Sequence, residues 1–243
     1  MEGPHKNIAQ PPIRRRTLVI MAKAPRPAGV KTRLTRSLSV EAAAELYCCF
    51  LEDTIALARS LSDVEVAILC PASDVAELTT FARGAVEVVP QEGEGLAAGL
   101  TSVFTHFTAR GPQRVVAFNS DSPHLPASIL DAAFEALNAH EVVVGPTHDG
   151  GYYLVGASTA HPTLFDSDGM GTKSALDALL SRARRLQLAV AFTHPFYDVD
   201  VEGDLTRLSA ELRLAPHRAP RTSAWLDKWE RSAAQLRSAA ESR

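Results

Sequence analysis

Cysteine is scarce in this chain of 243 residues. The three cysteines, at positions 48, 49 and 70, form neither a CxxC pair nor a Cys/His pattern. An odd number of cysteines without such spacing argues against a disulfide framework and against a structural zinc site. The sequence therefore favours a reducing environment, and we expect a cytoplasmic protein.

The chain also lacks a long hydrophobic run and an excess of basic charge. The apolar run that follows the basic residues 14–16 extends only about six residues before Lys23, which is too short for a signal peptide or a membrane span. The formal net charge of -3 argues against broad nucleic-acid binding. We expect no membrane and no nucleic acid among the partners, and a disordered tail over residues 1–16.

What the chain does contain is a regular alternation of apolar strand-like runs with helical patterns. The runs are residues 17–22, 65–70, 86–90, 114–119, 141–146 and 152–156, and the helical patterns are residues 40–61, 73–83, 96–109 and 126–139. Such alternation predicts an α/β fold, with a mainly parallel sheet covered by helices on both faces.

Four cations lie in the loop that follows the first predicted strand: Lys23, Arg26, Lys31 and Arg33. Open α/β folds bind ligands at the carboxyl ends of their strands, so this loop predicts an anion site of the kind that holds nucleotide phosphates. The P-loop pattern Gly-x-x-x-x-Gly-Lys-Ser/Thr is absent. The alternative interpretation is a solvated basic loop or a nucleic-acid patch.

Two acidic segments are candidates for a metal site. Asp121 follows the fourth predicted strand, and Asp198 and Asp200 flank a valine, so that in an extended segment both carboxylates would point to one side. Because Mg²⁺ takes one or two carboxylates together with substrate phosphates, Asp121 and Asp200 would suffice. Alternatively, Asp121 forms a turn and Asp198 pairs with a structural cation. We expect Asp204 to have a structural role at the start of a helix.

Two glycine-containing segments could approach a ligand closely. Residues 149–152, Asp-Gly-Gly-Tyr, could expose backbone N–H groups to an acceptor, although a plain Asp-Gly hairpin is the alternative. Residues 91–100 could let a flat base or sugar lie against the backbone, although the glycines there could equally serve close helix packing. At the other end of the chain, Trp225 and Trp229 predict a helix that packs on the parent domain or on a second subunit, so a homodimer stays open.

Together these segments resemble the nucleotide-diphospho-sugar transferase superfamily with the GT-A fold. The nearest resemblance is to the bacterial DUF2064 group, often labelled glycosyltransferases, and it extends from about residue 17 to residue 205. It rests on Met-Ala-Lys-Ala-Pro at 21–25 with Val-Lys-Thr-Arg-Leu at 30–34, Ser-Asp-Ser-Pro at 120–123, the glycine segment at 145–154, and Asp-Val-Asp at 198–200. The layout is also similar to phospholactate guanylyltransferases and to molybdenum-cofactor nucleotidyltransferases.

The resemblance implies a three-layer, Rossmann-like GT-A domain over residues 17–212, followed by a helical extension over 213–243. It implies that Lys23, Lys31 and Arg33 bind the phosphates and that Asp121 and Asp200 bind Mg²⁺, with Mn²⁺ as the alternative metal. Substrate contacts are expected from Ala22, Arg26, Thr32, Gln91, Gly95, Leu96, Ser120, Asp149, Gly150, Gly151 and Tyr152.

The chain departs from the DUF2064 pattern on the expected base and acceptor sides. Glu-Gly-Leu-Ala-Ala at 94–98 lacks the usual arginine, Val-Glu-Gly at 201–203 replaces Thr-Pro-Glu, and Gly-Met-Gly-Thr at 169–172 replaces a tryptophan-containing segment. The substrate is therefore expected to differ from that of better-understood relatives.

Three functions follow as expectations. The first is a Mg²⁺-dependent nucleotidyltransferase that joins the nucleoside monophosphate part of a nucleoside triphosphate to a small phosphate, phosphonate or carboxylate acceptor and releases pyrophosphate. The second is a glycosyltransferase with a nucleotide-sugar donor, and the missing Asp-x-Asp pair after the fourth strand favours the first function slightly over it. The third is a non-catalytic nucleotide-binding protein.

Overall fold

The computed structural model of the protein describes residues 15–84, 86–165 and 174–241. The strands of the described chain are Arg15–Met21 (β1), Val64–Cys70 (β2), Glu87–Pro90 (β3), Gln113–Asn119 (β4), Val142–Pro146 (β5), Tyr152–Ala157 (β6) and Val190–Phe192 (β7). The α-helices are Val40–Arg59 (α1), Val75–Ala82 (α2), Gly95–Thr108 (α3), Ala127–Ala136 (α4), Ala175–Arg185 (α5), Glu202–Leu214 (α6) and Pro220–Glu241 (α7). Short 3₁₀ helices cover Leu34–Arg36, Ala72–Asp74, Pro162–Phe165 and Pro216–Arg218.

The seven described strands form one sheet in the order β3-β2-β1-β4-β6-β5-β7. Strand β6 pairs antiparallel with both of its neighbours, and the remaining pairs are parallel. The mainly parallel sheet expected from the sequence is therefore confirmed. Since Met21 pairs with Asn119 in parallel register, β1 and β4 end side by side.

Helices cover both faces of this sheet, because the buried strands are apolar on both sides. In β1, Leu18 and Ile20 pack into a cluster with α1, α2 and α4, whereas Val19 points to the other face and packs with α3 and α5. This alternation is the period of two that a strand imposes on its side chains. The three layers match the predicted sandwich.

A third apolar cluster extends the fold beyond α1. Leu46 and Phe50 of α1 meet Leu208 of α6 and Leu226 of α7 in this cluster. The rings of Trp225 and Trp229 stack with centroids 6.2 Å apart and pack against the same cluster. The tryptophan helix therefore packs on its own chain, which is one of the two alternatives that its sequence allowed.

The predicted boundaries agree with the structure to within a few residues for most elements. Strand β1 begins at Arg15, two residues before the predicted strand, and the predicted boundary at residue 213 falls inside α6. The disordered tail predicted over residues 1–16 is wrong for residues 15 and 16, which belong to β1. Its residues 1–14 and the unusual segment at 169–172 lie outside the described residues. Among the helices that are described, none is long and apolar enough to cross a membrane.

Candidate functional site

The adjacent ends of β1 and β4 open into a cleft of about 960 Å³. Its walls are the loop at residues 22–33, the turn that follows β4, and the start of α3. The predicted site residues that line it are Ala22, Lys23, Lys31, Thr32, Arg33, Gln91, Gly95, Leu96, Ser120, Asp121 and Asp200. A cleft at the carboxyl edge of the sheet is where ligands of doubly wound α/β folds bind.

Lys31 is the most enclosed cation of the cleft, with a side chain that is only 3% exposed. Its ammonium Nζ lies 2.6 Å from Asp121 Oδ1 and 3.2 Å from Asp200 Oδ1, and donates to the Val199 carbonyl at 2.8 Å. Burial alone would lower the pKa of Lys31, but the charges of Asp121 and Asp200 outweigh it and raise that pKa. Lys31 is therefore charged at neutral pH and joins the two predicted metal ligands.

Arg33 lies nearer the solvent on the same wall, with a side chain that is 69% exposed. Its guanidinium Nη1 donates to Asp200 Oδ2 at 3.1 Å, so Asp200 accepts from Lys31 and from Arg33 through different oxygens. Lys23 lines the cleft as well, and within the described residues its side chain forms no ion pair. The cleft thus holds three of the four cations of the loop.

Arg26, the fourth cation, is directed away from the cleft. Its guanidinium lies 2.7 Å from Asp74 Oδ1 and 2.7 Å from Glu77 Oε2. Asp74 is buried and also accepts from the Ala24 backbone N–H at 2.9 Å, so a buried carboxylate there needs a cationic partner. Arg26 therefore anchors the loop to the start of α2 and is not among the residues that line the cleft.

Tyr47 of α1 holds the turn after β4 in place through its hydroxyl group. The Tyr47 hydroxyl lies 2.7 Å from Ser120 Oγ and accepts from the Lys23 backbone N–H at 3.3 Å. Burial raises the pKa of Tyr47, so the hydroxyl stays protonated. One tyrosine thus connects the first wall of the cleft to the second, a role that the sequence did not predict for it.

Asp198 fixes the same turn from the other side. Its Oδ1 accepts from Asn119 Nδ2 at 2.7 Å and from Ser122 Oγ at 3.0 Å. Asn119 Oδ1 accepts in turn from the Asp121 backbone N–H at 3.2 Å. Burial, followed by the charge of Asp121, raises the pKa of Asp198 to about 6. Asp198 therefore supports Asp121 through hydrogen bonds to two polar side chains.

Asp204 has the structural role expected for it. Its Oδ2 accepts from the backbone N–H groups of Asp200 and Val201, both at 3.0 Å. These bonds satisfy donors at the start of α6 that would otherwise lack a partner. Asp204 thereby holds the backbone of Asp200 at the rim of the cleft.

The segment before α3 forms the far wall. Gly93 and Gly95 have φ angles of +77° and +82°, a backbone conformation that residues other than glycine rarely adopt. Gln91 Nε2 donates to the Gly93 carbonyl at 3.0 Å. Leu96 is 43% exposed beside these glycines. A flat apolar group could therefore lie against this wall.

Gly99, one turn further along, serves helix packing instead. A Cβ there would lie 2.9 Å from Gln91 Oε1 and 2.9 Å from Met21 Cε. A side chain at this position would therefore force the ends of the Gln91 and Met21 side chains to shift.

The turn between β5 and β6 lies at the same edge of the sheet but is not part of the cleft. Thr147 Oγ1 donates to Asp149 Oδ1 at 2.6 Å, and the same oxygen accepts from the Gly151 backbone N–H at 3.4 Å. The Gly150 carbonyl accepts from the Leu176 backbone N–H at 3.1 Å. These bonds are compatible with the hairpin alternative, and an acceptor role for residues 149–152 stays a prediction.

Tyr152 begins β6 and packs against the apolar cluster that β1 forms with α3 and α5. Burial raises the pKa of its hydroxyl. The residues that line the cleft do not include Asp149, Gly150, Gly151 and Tyr152, and β4 lies between β1 and the two strands that this turn connects.

The carboxylates of Asp121 and Asp200 fit a hard divalent cation. Both contact one ammonium nitrogen, which shows that they are close enough to share a single cationic centre. Their side chains are 34% and 38% exposed, so further oxygens could come from solvent or phosphate. No group of three or more His, Cys, Asp or Glu side chains arranged for a metal occurs in the described chain. Asp121 and Asp200 as metal ligands stay a prediction.

Comparison with known proteins agrees with this architecture. Residues 54–172 match the model of a family described as an uncharacterized protein conserved in bacteria, DUF2064. One similar crystal structure is that of a protein from Desulfovibrio desulfuricans G20, provisionally named a nucleotide-diphospho-sugar transferase. The two sequences are 25% identical, the TM-score is 0.82, and the alignment covers 92% of this chain and 98% of that one. A search of curated proteins found no match.

More distant structures share the fold. The 4-diphosphocytidyl-2C-methyl-D-erythritol synthase of Anaerococcus prevotii DSM 20548 is 12% identical with a TM-score of 0.54, covering 82% of this chain and 96% of that one. A CMP:2-keto-3-deoxy-manno-octonic acid synthetase is 10% identical with a TM-score of 0.53, covering 82% and 99%. The comparisons confirm the resemblance to the DUF2064 family, the GT-A-like α/β fold and the transferase class expected from the sequence.

Proposed function

We propose that the protein is a Mg²⁺-dependent nucleotidyltransferase that uses the cleft between the ends of β1 and β4. One observation carries the proposal: Lys31 and Arg33 from the first loop meet Asp121 and Asp200 in this cleft. A triphosphate and its metal need such a combination of cations and carboxylates within a few ångströms of each other.

The residues of the cleft divide into three roles in this proposal. Lys23, Lys31, Thr32 and Arg33 bind the triphosphate, and Asp121 and Asp200 hold Mg²⁺, with Mn²⁺ as the alternative. The nucleoside lies against the wall of Gln91, Gly95 and Leu96, with Ala22 and Ser120 beneath it. Residues 17–212 act as one transferase domain, and residues 213–243 as its helical extension.

The reaction needs no nucleophilic side chain from the protein. An oxygen of a phosphate, phosphonate or carboxylate acceptor attacks the α-phosphorus, the bond from that phosphorus to the bridging oxygen breaks, and pyrophosphate leaves. Lys31 and Arg33 orient the phosphates and offset the negative charge that develops on them. A divalent cation, when bound, would supply further charge neutralisation at the phosphate oxygens.

The named neighbours support this chemistry. The synthetase that shares the fold was crystallised with CTP, and the Anaerococcus protein is named as a diphosphocytidyl synthase. A nucleotidyl transferase from Methanothermobacter has the same fold at 17% identity and a TM-score of 0.54. These likenesses establish the fold alone, so the activity of this chain is inferred from its cleft.

Glycosyl transfer is the second candidate, and the Desulfovibrio structure favours it. That protein resembles this chain more strongly than the synthases do and is provisionally named for a nucleotide-sugar substrate. The same Asp121 would then face the diphosphate leaving group. A single aspartate in the Ser-Asp-Ser-Pro turn, where a second would make an Asp-x-Asp pair, supports nucleotidyl transfer instead.

A thermal-shift screen separates these candidates. A ligand that binds only the folded protein raises its melting temperature. We expect one nucleoside triphosphate with Mg²⁺ to give a larger shift than the matching nucleotide sugar. A larger shift from a nucleotide sugar would favour glycosyl transfer, and the absence of any shift would contradict both candidates.

A further inference from the structure

Lys31 has more expected partners than one ammonium group can serve. In the structure its Nζ contacts both predicted metal ligands, whereas the proposed function requires it to contact phosphate oxygens. A divalent cation would need the same pair of carboxylates that Lys31 now contacts. Two cations on one carboxylate pair repel each other strongly in a partly buried site.

The surroundings of Lys31 favour an ammonium group that neutralises the two nearby carboxylates. The ammonium lies 5.5 Å from the centroid of the Phe50 ring, and the Lys31 side chain is only 3% exposed to solvent. In such a setting the two carboxylates would repel each other without a counter-ion. Lys31 therefore keeps Asp121 and Asp200 together in the ligand-free protein.

We propose that Lys31 is an exchangeable counter-ion that makes metal and nucleotide binding cooperative. Its ammonium neutralises Asp121 and Asp200 in the free protein and moves to the phosphates when a metal–nucleotide complex enters. A flexible four-carbon stem allows the shift without movement of the backbone. The proposal rests on the proposed function for the identity of the phosphates, and on the observed ion pairs for the competition.

A metal ion alone therefore binds weakly, because it must displace the Lys31 ammonium when no phosphate is present to pair with that ammonium. By linkage, the affinity for the nucleotide alone is lowered to the same extent, because Asp121 and Asp200 keep the Lys31 ammonium away from the phosphates. Arg33 contributes less to this competition, because it contacts only Asp200 and is mostly exposed. The cleft then discriminates against a bare metal ion and against a metal-free nucleotide.

The test compares Lys31→Met with Lys23→Met, which removes the same charge from the same cleft without breaking an ion pair to Asp121 or Asp200. Binding of Mn²⁺ alone is measured by electron paramagnetic resonance. We expect Lys31→Met to bind Mn²⁺ about tenfold more tightly than the wild type, within the usual range of coupling between sites. Lys23→Met should remain within about threefold of the wild type, because solvent and salt screen its charge.

Two additional measurements keep the test decisive. Lys31→Gln, a neutral polar variant, is measured beside Lys31→Met in case the apolar side chain prevents folding. Binding of inorganic triphosphate in the presence of Mg²⁺ is measured by calorimetry, and both Lys31→Met and Lys23→Met should weaken it.

Equal Mn²⁺ affinity for the Lys31 and Lys23 variants would overturn the counter-ion proposal even where triphosphate binds as expected. Failure of the wild type to bind triphosphate would overturn the proposed function and the exchange with it, even where Lys31→Met binds Mn²⁺ more tightly. Tighter Mn²⁺ binding by the Lys31 variants together with triphosphate binding by the wild type would support both.

Discussion

Two loops at the carboxyl edge of the sheet are held in place by different kinds of contact. The loop at 22–33 is held by contacts distant in sequence, such as Lys31 to Asp200 and Arg26 to Asp74. The turn at 147–151 contains hydrogen bonds among its own residues, through Thr147, Asp149 and Gly151. Polar groups that bond within their own turn are less free to meet a ligand. Long-range ion pairs, in contrast, bring opposite charges together in an open cleft.

The largest effect should come from Asp121→Asn. The amide is nearly isosteric but lacks the charge that a hard cation needs, so turnover should fall at least about a hundredfold. The matched control is Asp149→Asn in the other loop, which should keep turnover within about twofold. Steady-state kinetics in Mg²⁺ measures both. Equal losses for the two variants would erase the distinction between the loops.

Arg33→Ala should weaken nucleotide binding by about 1.5–3 kcal/mol, the usual contribution of a hydrogen bond to a charged group. Arg26→Ala removes the same charge from the same loop, but its guanidinium points at Asp74 and Glu77, so the affinity loss should be smaller. Calorimetric titration with the nucleotide measures both affinities. A larger loss for Arg26→Ala would mean that Arg26, and not Arg33, contacts the phosphates.

Gly151→Val tests whether the second loop is only a turn. A Cβ at this position would lie 2.9 Å from Thr147 Oγ1, so the variant should lose about 1–2 kcal/mol of folding free energy through crowding. The remaining folded protein should keep its nucleotide affinity and turnover. Melting temperature and kinetics on one preparation check this. A tenfold loss of turnover at an unchanged melting temperature would instead support an acceptor site at residues 149–152.

The smallest effect concerns pH and the buried His124, which follows the Asp121 turn. Burial, followed by the charges of Arg218 and Arg207, lowers the pKa of His124 to about 3. Glu211 Oε2 lies 3.4 Å from Nε2, but Arg207 and Arg218 share that carboxylate, so it does not keep the ring charged.

Below pH 6.5 the unfolded chain therefore binds a proton at His124 that the folded protein does not bind, and stability falls as pH decreases toward 3. Between pH 6 and pH 5 the loss from this residue should be about 1 kcal/mol. Urea unfolding of the wild type and His124→Gln at both pH values measures it. An identical pH dependence in the two proteins would contradict a neutral buried histidine.

The sequence was most informative where structure is local. Apolar runs predicted β1, β2 and β4 to within two residues, because a buried strand must be apolar on both faces. The positions of Lys31, Arg33 and Asp121 at strand ends followed from the same pattern. Sequence spacing could place these residues at one edge of the sheet.

Contacts between residues far apart in the chain could not be predicted from local sequence patterns. The ion pair between Lys31 and Asp200 spans 169 residues, and nothing local indicates that the two meet. Arg26 looked like the other three cations of its loop, and only the position of Asp74 directs it away from the cleft. The clue to Tyr47 was slight: a lone polar ring among the small and apolar residues of α1.

Hydrogen-exchange mass spectrometry of the wild type, with and without the Mg²⁺–nucleoside triphosphate complex, tests the central claim most directly. If the nucleotide binds between the ends of β1 and β4, peptides that contain residues 22–34 and 119–122 should gain protection, and those that contain residues 147–151 should change little. Protection confined to residues 147–151, with residues 22–34 unchanged, would contradict the proposed site.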